Sequence, residues 1–158
     1  MDKKHIFFYE VLRPLVIIFL KIRFGYHYKK AENLPENYIV LSNHATDYDP
    51  LFVAASFPRQ MYFVASEHIA RWPLAYKFLK HCFAPIIRYK GTTATATVME
   101  MLRAVKAGRN VCMFAEGTHY SQRGMLPFKK GIFRIAFQAQ ELMTDVPLYI
   151  VPGYKHGR

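Results

Sequence analysis

His44 and Asp49, set in Asn43-His44-Ala45-Thr46-Asp47-Tyr48-Asp49-Pro50, are the side chains of this chain best suited to moving a proton. Imidazole has the unperturbed pKa nearest neutrality, and a carboxylate beside it fixes its tautomer and stabilises the imidazolium formed when it acts as a base. Residues five apart on a regular helix point roughly 140° away from each other, so the two can meet only across a turn. Pro50 supplies a reason for one, because the residue before proline is pushed out of the α region while proline itself suits a helix start. A helix beginning at Pro50 and carrying Leu51, Phe52, Val53 and Ala54 would leave Asp49 at its N-cap and His44 on the loop leading in. The same stretch admits a purely structural reading, with Asp49 as a helix cap and Asp47 as an acceptor of loop backbone bonds. It also admits a rival chemistry, a metal-dependent phosphoesterase with His44, Asp47 and Asp49 as ligands, although no further carboxylates or histidines cluster nearby.

A chain of 158 residues, 52% hydrophobic, can bury one proper core and is expected to form one α/β domain behind an N-terminal arm. Its 22 basic residues against 11 acidic ones give +11, which favours anionic partners such as phosphorylated metabolites, lipid headgroups or nucleic acid, and charge alone does not choose among them. The arm, residues 1–30, concentrates that charge in Lys3, Lys4, Arg13, Lys21, Arg23, Lys29 and Lys30, yet from Ile6 to Phe24 it is largely apolar. Arg13, Lys21 and Arg23 argue against a simple membrane crossing, which needs ~20 mostly apolar residues. Drawn as a helix, the arm groups Glu10, Arg13 and Lys21 within roughly an 80° arc. The expectation is an amphipathic helix lying in the membrane interface with Arg and Lys reaching headgroups; the alternative is a core helix docked on its own domain. Cys82 and Cys112 lack a C-x-x-C or a histidine partner and are expected to be buried thiols.

The elements that must position the His44 loop follow from pattern. Strands are predicted at Tyr38 to Ser42, Met61 to Ala65, Ala84 to Arg88, Val111 to Ala115 and Leu148 to Val151. Helices are predicted at Pro50 to Phe57, at Glu67 to Lys80 with Pro73 interrupting, through Val98, Met101, Leu102 and Val105 to a stop at Gly108, and at Ile132 to Leu142. This alternation predicts a largely parallel sheet flanked by helices, in which sites form beyond the carboxyl ends of strands. His44 follows one such end and Glu116-Gly117-Thr118 another, so both loops should open on one edge. The second loop continues through His119 to Arg123-Gly124 and Lys129-Lys130-Gly131, with glycines that permit tight turns and cations for a phosphate.

Four blocks together resemble the glycerolipid acyltransferases typified by 1-acyl-glycerol-3-phosphate acyltransferase: Asn43-His44 through Asp49, Pro85-Ile86-Ile87-Arg88, Phe114 through Thr118, and Val151-Pro152. The resemblance extends from about Asn33-Leu34-Pro35 to the end of the chain. It implies that His44 is the general base that deprotonates an acceptor hydroxyl, that Asp49 orients it, and that the hydroxyl attacks the thioester carbonyl of an acyl carrier without a covalent acyl-enzyme. It further implies that Arg88, Glu116, Gly117 and Thr118 position the acceptor phosphate and glycerol, and that Pro152 shapes the acyl side. No G-x-S-x-G is present, and neither cysteine accompanies a histidine in a nucleophile motif.

The chain departs from the family pattern at Ala115, where proline is usual, and at His119, where arginine is usual. The loop after it is one residue longer, with Arg123 as the candidate replacement cation. It also stops soon after Pro152, so residues 31–158 are expected to form an acyltransferase domain that is short or truncated at its carboxyl end. The resemblance implies a membrane-associated O-acyltransferase at the cytoplasmic face, moving a fatty acyl group from acyl carrier protein or coenzyme A to 1-acyl-glycerol-3-phosphate or a similar lysolipid. Glycerol-3-phosphate and a lyso-aminolipid are the alternative acceptors. No metal, no cofactor beyond the thioester co-substrate and no nucleic-acid partner are expected. The remaining alternative, a non-enzymatic basic module, would interleave aromatics with Lys and Arg on an exposed face, whereas Phe and Tyr here also run through predicted core segments.

Overall fold

The computed structural model of the chain describes residues 3–28, 33–36, 38–66, 73, 76–77, 79–80, 85–88, 94–116, 127–128, 130–141 and 149–153. The apolar runs form five strands, β1 (Tyr38–Ser42), β2 (Met61–Ser66), β3 (Ile86–Arg88), β4 (Asn110–Phe114) and β5 (Tyr149–Gly153). They assemble in the order β3-β2-β4-β1-β5 with every pairing parallel. The helices are α1 (Lys3–Phe24), α2 (Asp49–Ser56), α3 (Ala94–Lys106) and α4 (Lys130–Glu141). Pro73, Tyr76, Lys77, Leu79 and Lys80 are also helical, on the segment expected to be a helix.

Alternation along the strands divides the core into two layers. Tyr38, Val40, Met61, Phe63 and Cys112 face α1 and α2, meeting Tyr9, Val53 and Ala54. Ile39, Leu41, Val111 and Met113 face the other way, onto Met101, Val105 and Ala136 of α3 and α4. With helices on both sides, β1 is buried at all five positions, which is why it reads as one unbroken apolar run rather than an alternating one. Buried Asn110 opens β4, and its Oδ1 accepts the Tyr38 N–H at 3.1 Å, tying the first residues of the two strands that carry the site loops. Gly108 stops α3 as its position in the sequence predicts. Its φ of 71° lets its own N–H reach the Val105 carbonyl and the Arg109 N–H reach that of Ala104. Cys112 is a buried free thiol whose acidity is suppressed by burial, which makes it unreactive; Cys82 lies outside the described residues.

The N-terminal helix departs from expectation in its orientation. Arg13 does not turn outward toward headgroups. It points inward, and its Nε donates to the Ala54 carbonyl at 3.2 Å while Nη2 donates to that of Ala55 at 2.8 Å. The cause lies in α2, an eight-residue helix whose last carbonyls have no partner within the helix. Tyr9 Oη donates to Ala54 at 2.9 Å, Tyr26 Oη donates to Phe52 at 3.1 Å and also bonds Ser56, and the Phe57 N–H covers Val53. A guanidinium fork on two adjacent carbonyls, at the negative end of a helix, satisfies hydrogen bonding and dipole together. We expect Arg13→Met to lower unfolding free energy by about 2 kcal/mol, because it strands the Ala55 carbonyl and leaves that of Ala54 to Tyr9 alone while preserving the apolar stem. A urea titration showing an unchanged midpoint would remove this account of how α1 holds α2.

With Tyr9, Arg13 and Leu20 facing the domain, the opposite side of α1 is apolar and exposed. Phe7, Val11, Leu15, Ile18, Phe19 and Ile22 fall within roughly a 120° arc, and Ile22 is 82% exposed. The helix therefore has two apolar faces, with Glu10 and Lys21 on an exposed seam between them. Docking on the domain and an outward apolar stripe, set against each other in sequence, coexist. Among the described residues no helix is long and apolar enough to cross a membrane.

Candidate active site

β1 and β4 are neighbours, Ser42 is level with Phe114, and the Ala115 N–H donates to the Ser42 carbonyl at 2.9 Å. The chains leaving both strands thus emerge together on one edge, as a parallel sheet requires. Asn43 is buried at this exit, and the next residues turn back sharply, the Asp49 N–H donating to the Thr46 carbonyl at 3.1 Å.

That turn brings the expected pair together. His44 Nδ1 donates to Asp49 Oδ2 at 3.1 Å, the carboxylate side chain being 2% exposed and the imidazole 20%. The same Oδ2 accepts the backbone N–H groups of Ala45 at 2.6 Å and Thr46 at 2.8 Å, and Oδ1 accepts the Thr46 hydroxyl at 2.7 Å. A buried carboxylate needs such donors, since leaving its charge unpaired would cost several kcal/mol. The expected cap role is overturned: α2 starts at Asp49 itself, its N-cap is Tyr48 without a side-chain cap bond, and Pro50 lies in its first turn. Asp49 turns its side chain backward into the loop instead of forward onto the helix. Because an ionised carboxylate only accepts, the proton shared with it belongs to Nδ1, and the basic lone pair of the neutral ring is on Nε2.

Two neighbours of the pair had no assigned role in the sequence. Phe114, the last residue of β4, stacks on the His44 ring with centroids 4.1 Å apart and planes 19° apart. Thr46 binds Asp49 through both its N–H and its hydroxyl. The signal for Thr46 was local and available, a hydroxyl residue three positions before an acid in a loop; that for Phe114 depends on β1 and β4 being adjacent. Exposed Tyr48, on the same loop, meets Phe24 at the end of α1 with ring centroids 5.2 Å apart. The carboxyl end of the membrane-helix candidate therefore abuts the His44 loop.

The other predicted site residues divide. Glu116 is buried just past β4, next to the pair's edge of the sheet. Arg88 ends β3 level with Ser66, on the same edge but three strands from β1, about 14 Å at the usual strand spacing. Pro152 lies in β5 opposite Leu41 and is exposed. Gly117, Thr118, His119 and Arg123 lie outside the described residues. A cavity of about 450 Å³ opens toward the amino ends of β2 and β3, lined by Tyr62, Lys80, Ile86, Arg103 and Arg109 among others. Among the described residues that line it there is no predicted site residue, and volume alone does not make it the reaction centre. Among the described residues no three His, Cys, Asp or Glu side chains gather as metal ligands.

Comparison with known proteins gives the family and the fold. The family described as Acyltransferase matches residues 25–154. The 1-acyl-sn-glycerol-3-phosphate acyltransferase of Streptococcus pneumoniae is 30% identical over 119 residues, covering 72% of this chain and 45% of that protein. The enzyme of the same name from Limnanthes douglasii is 31% identical over 124 residues, covering 76% of this chain and 43% of that protein. The crystal structure of the 1-acyl-sn-glycerophosphate acyltransferase of Thermotoga maritima superposes with a TM-score of 0.63 at 19% identity, covering 91% of this chain and 57% of that one, a likeness of fold. This chain spans less than half the length of those two sequence relatives. With its histidine and aspartate joined at the carboxyl edge of a parallel sheet and the family match running from residue 25 to residue 154, the chain belongs to the acyltransferase family.

Proposed function

We propose that this protein is a membrane-associated O-acyltransferase that moves a fatty acyl group from acyl carrier protein or coenzyme A to the free hydroxyl of 1-acyl-glycerol-3-phosphate. The observation that carries the reading is the 3.1 Å His44–Asp49 bond at the carboxyl edge of β1. Nε2 of His44 takes the hydroxyl proton as the acceptor oxygen adds to the thioester carbonyl. The tetrahedral intermediate then collapses, breaking the carbon–sulfur bond, and the departing thiolate recovers the proton from Nε2. Asp49 stabilises the transient imidazolium. No covalent acyl-enzyme forms, and buried Cys112 takes no part.

Arg88, Glu116, Gly117 and Thr118 are proposed to hold the acceptor phosphate and glycerol, with His119 and Arg123 taking the place of the family's loop arginine and Pro152 shaping the acyl side. The exposed apolar stripe of α1 supports placement in a membrane interface, proposed to be that of a cytoplasmic face, where burying it gains ~25 cal/mol per Å² of apolar surface and where lysolipid resides. The contact of Phe24 with Tyr48 ties that helix to the catalytic loop.

One assay tests the proposal: a labelled acyl thioester presented with 1-acyl-glycerol-3-phosphate, glycerol-3-phosphate and a lyso-aminolipid in parallel. The largest kcat/KM is expected for the first. Transfer is expected to survive exhaustive chelation, since none of the proposed steps uses a metal. Release of phosphate from the lysolipid in place of acyl transfer, abolished by chelation and restored by a divalent ion, would favour the phosphoesterase alternative.

A further inference from the structure

We infer that Thr46 is a positioning residue for the acid of the dyad, acting through Asp49 rather than on substrate; this rests on the proposed roles of His44 and Asp49. The hydrogen bonds on Asp49 are unequal in origin. The Ala45 and Thr46 N–H groups on Oδ2 would be offered by almost any residue in the same turn, whereas the 2.7 Å bond to Oδ1 depends on a hydroxyl at position 46. A carboxylate gripped on one oxygen alone can still rock about its Cβ–Cγ bond, a torsion with broad wells. Gripping the second oxygen as well opposes that motion and holds Oδ2 toward His44 Nδ1.

Thr46 is well built for the task. Its β-branched side chain is stiff about χ1, so its hydroxyl is held with little entropy left to lose. Its carbonyl also accepts the Asp49 N–H at 3.1 Å, so one residue contacts the backbone and both side-chain oxygens of Asp49. Asp49 starts α2, whose far end is tied down by Arg13, which leaves the side chain as the element still to be fixed. Phe114 performs the matching service for the base, stacking on the imidazole face.

The test compares Thr46→Val, which keeps the branch and removes the hydroxyl, with Thr46→Ser, which restores the hydroxyl without the methyl. Thr46→Val is expected to lower kcat by ~10- to 100-fold with KM for thioester and lysolipid unchanged, in line with an indirect contribution smaller than that of the base itself. Thr46→Ser is expected to recover kcat to within about threefold of the parent, since the charge-assisted bond is the larger part of the contribution. Nitrogen-15 spectra of His44 should show the Nδ1–H tautomer in the parent and in Thr46→Ser, and a mixture in Thr46→Val. Equal kcat in Thr46→Val and parent, or a serine variant no better than the valine variant when both fold, overturns the inference. If Thr46→Val fails to fold, the kcat and tautomer of Thr46→Ser against a Thr46→Ala variant decide. A His44→Ala variant run alongside separates the two levels: activity retained there defeats the proposed function, while activity lost there with Thr46→Val unaffected defeats only the role of Thr46.

Discussion

His44→Ala is expected to lower the kcat for acyl transfer by about 10³-fold or more, leaving little beyond the reactivity of a bound thioester and alcohol. General-base assistance contributes about 10² to 10⁴ in rate, and removing the imidazole also discards the orientation provided by Asp49. Folding should be little affected. The ring is partly exposed, its stacking on Phe114 is worth about 1 kcal/mol, and the Ala45 and Thr46 donors still satisfy the Asp49 carboxylate. The comparison that matters is turnover against melting temperature and vesicle binding in one preparation. Undiminished turnover in His44→Ala would remove the assigned base; loss of turnover together with unfolding would point to a structural role.

Asp49→Asn should be almost as damaging, by ~10²- to 10⁴-fold in kcat, for a different reason. Asparagine retains an oxygen that can accept from Nδ1, Ala45 and Thr46, and the Thr46 hydroxyl can reverse to accept from the new amide group. Shape and most hydrogen bonds are therefore kept, so the variant should fold. What it loses is the negative charge that stabilises the imidazolium as the acceptor proton arrives. The amide can also flip, presenting a donor to Nδ1 and favouring the wrong tautomer. A kcat within a factor of two of the parent would mean that Asp49 is an architectural residue of the turn. A matched kcat loss in Asp49→Asn and His44→Ala, with little further loss in the double variant, would show the two acting as one unit.

Much of the scaffold could be read along the chain because its information is local. β1 is found at the predicted bounds and β2 and β4 within one residue, since unbroken apolar runs between turn residues leave little choice of register in a sheet covered on both faces. Gly108 ends α3 because a positive φ suits glycine, and Pro50 lies in the first turn of a helix that starts one residue before the predicted start, at Asp49. The meeting of His44 and Asp49 was also legible, as a separation that only a turn could close.

The rest depended on contacts between segments far apart in sequence. The orientation of Arg13 could not be read from its helix, because the carbonyls it serves belong to α2, forty-one and forty-two residues on. The wheel showed a polar arc, and only packing decided that Arg13 would face inward and leave a second apolar face exposed. Phe114 joined the site because the sheet order placed β4 beside β1, a choice among strands that local patterns do not encode. By itself the amino-acid sequence determined that His44 and Asp49 could meet across a turn and that the carboxyl edge of a parallel sheet would carry them, since periodicity and turn propensity act over a few residues. Tertiary structure alone decided that Arg13 faces inward and that Phe114 stacks on the His44 ring, because the groups they meet lie on other elements tens of residues away, beyond the reach of periodicity and turn propensity.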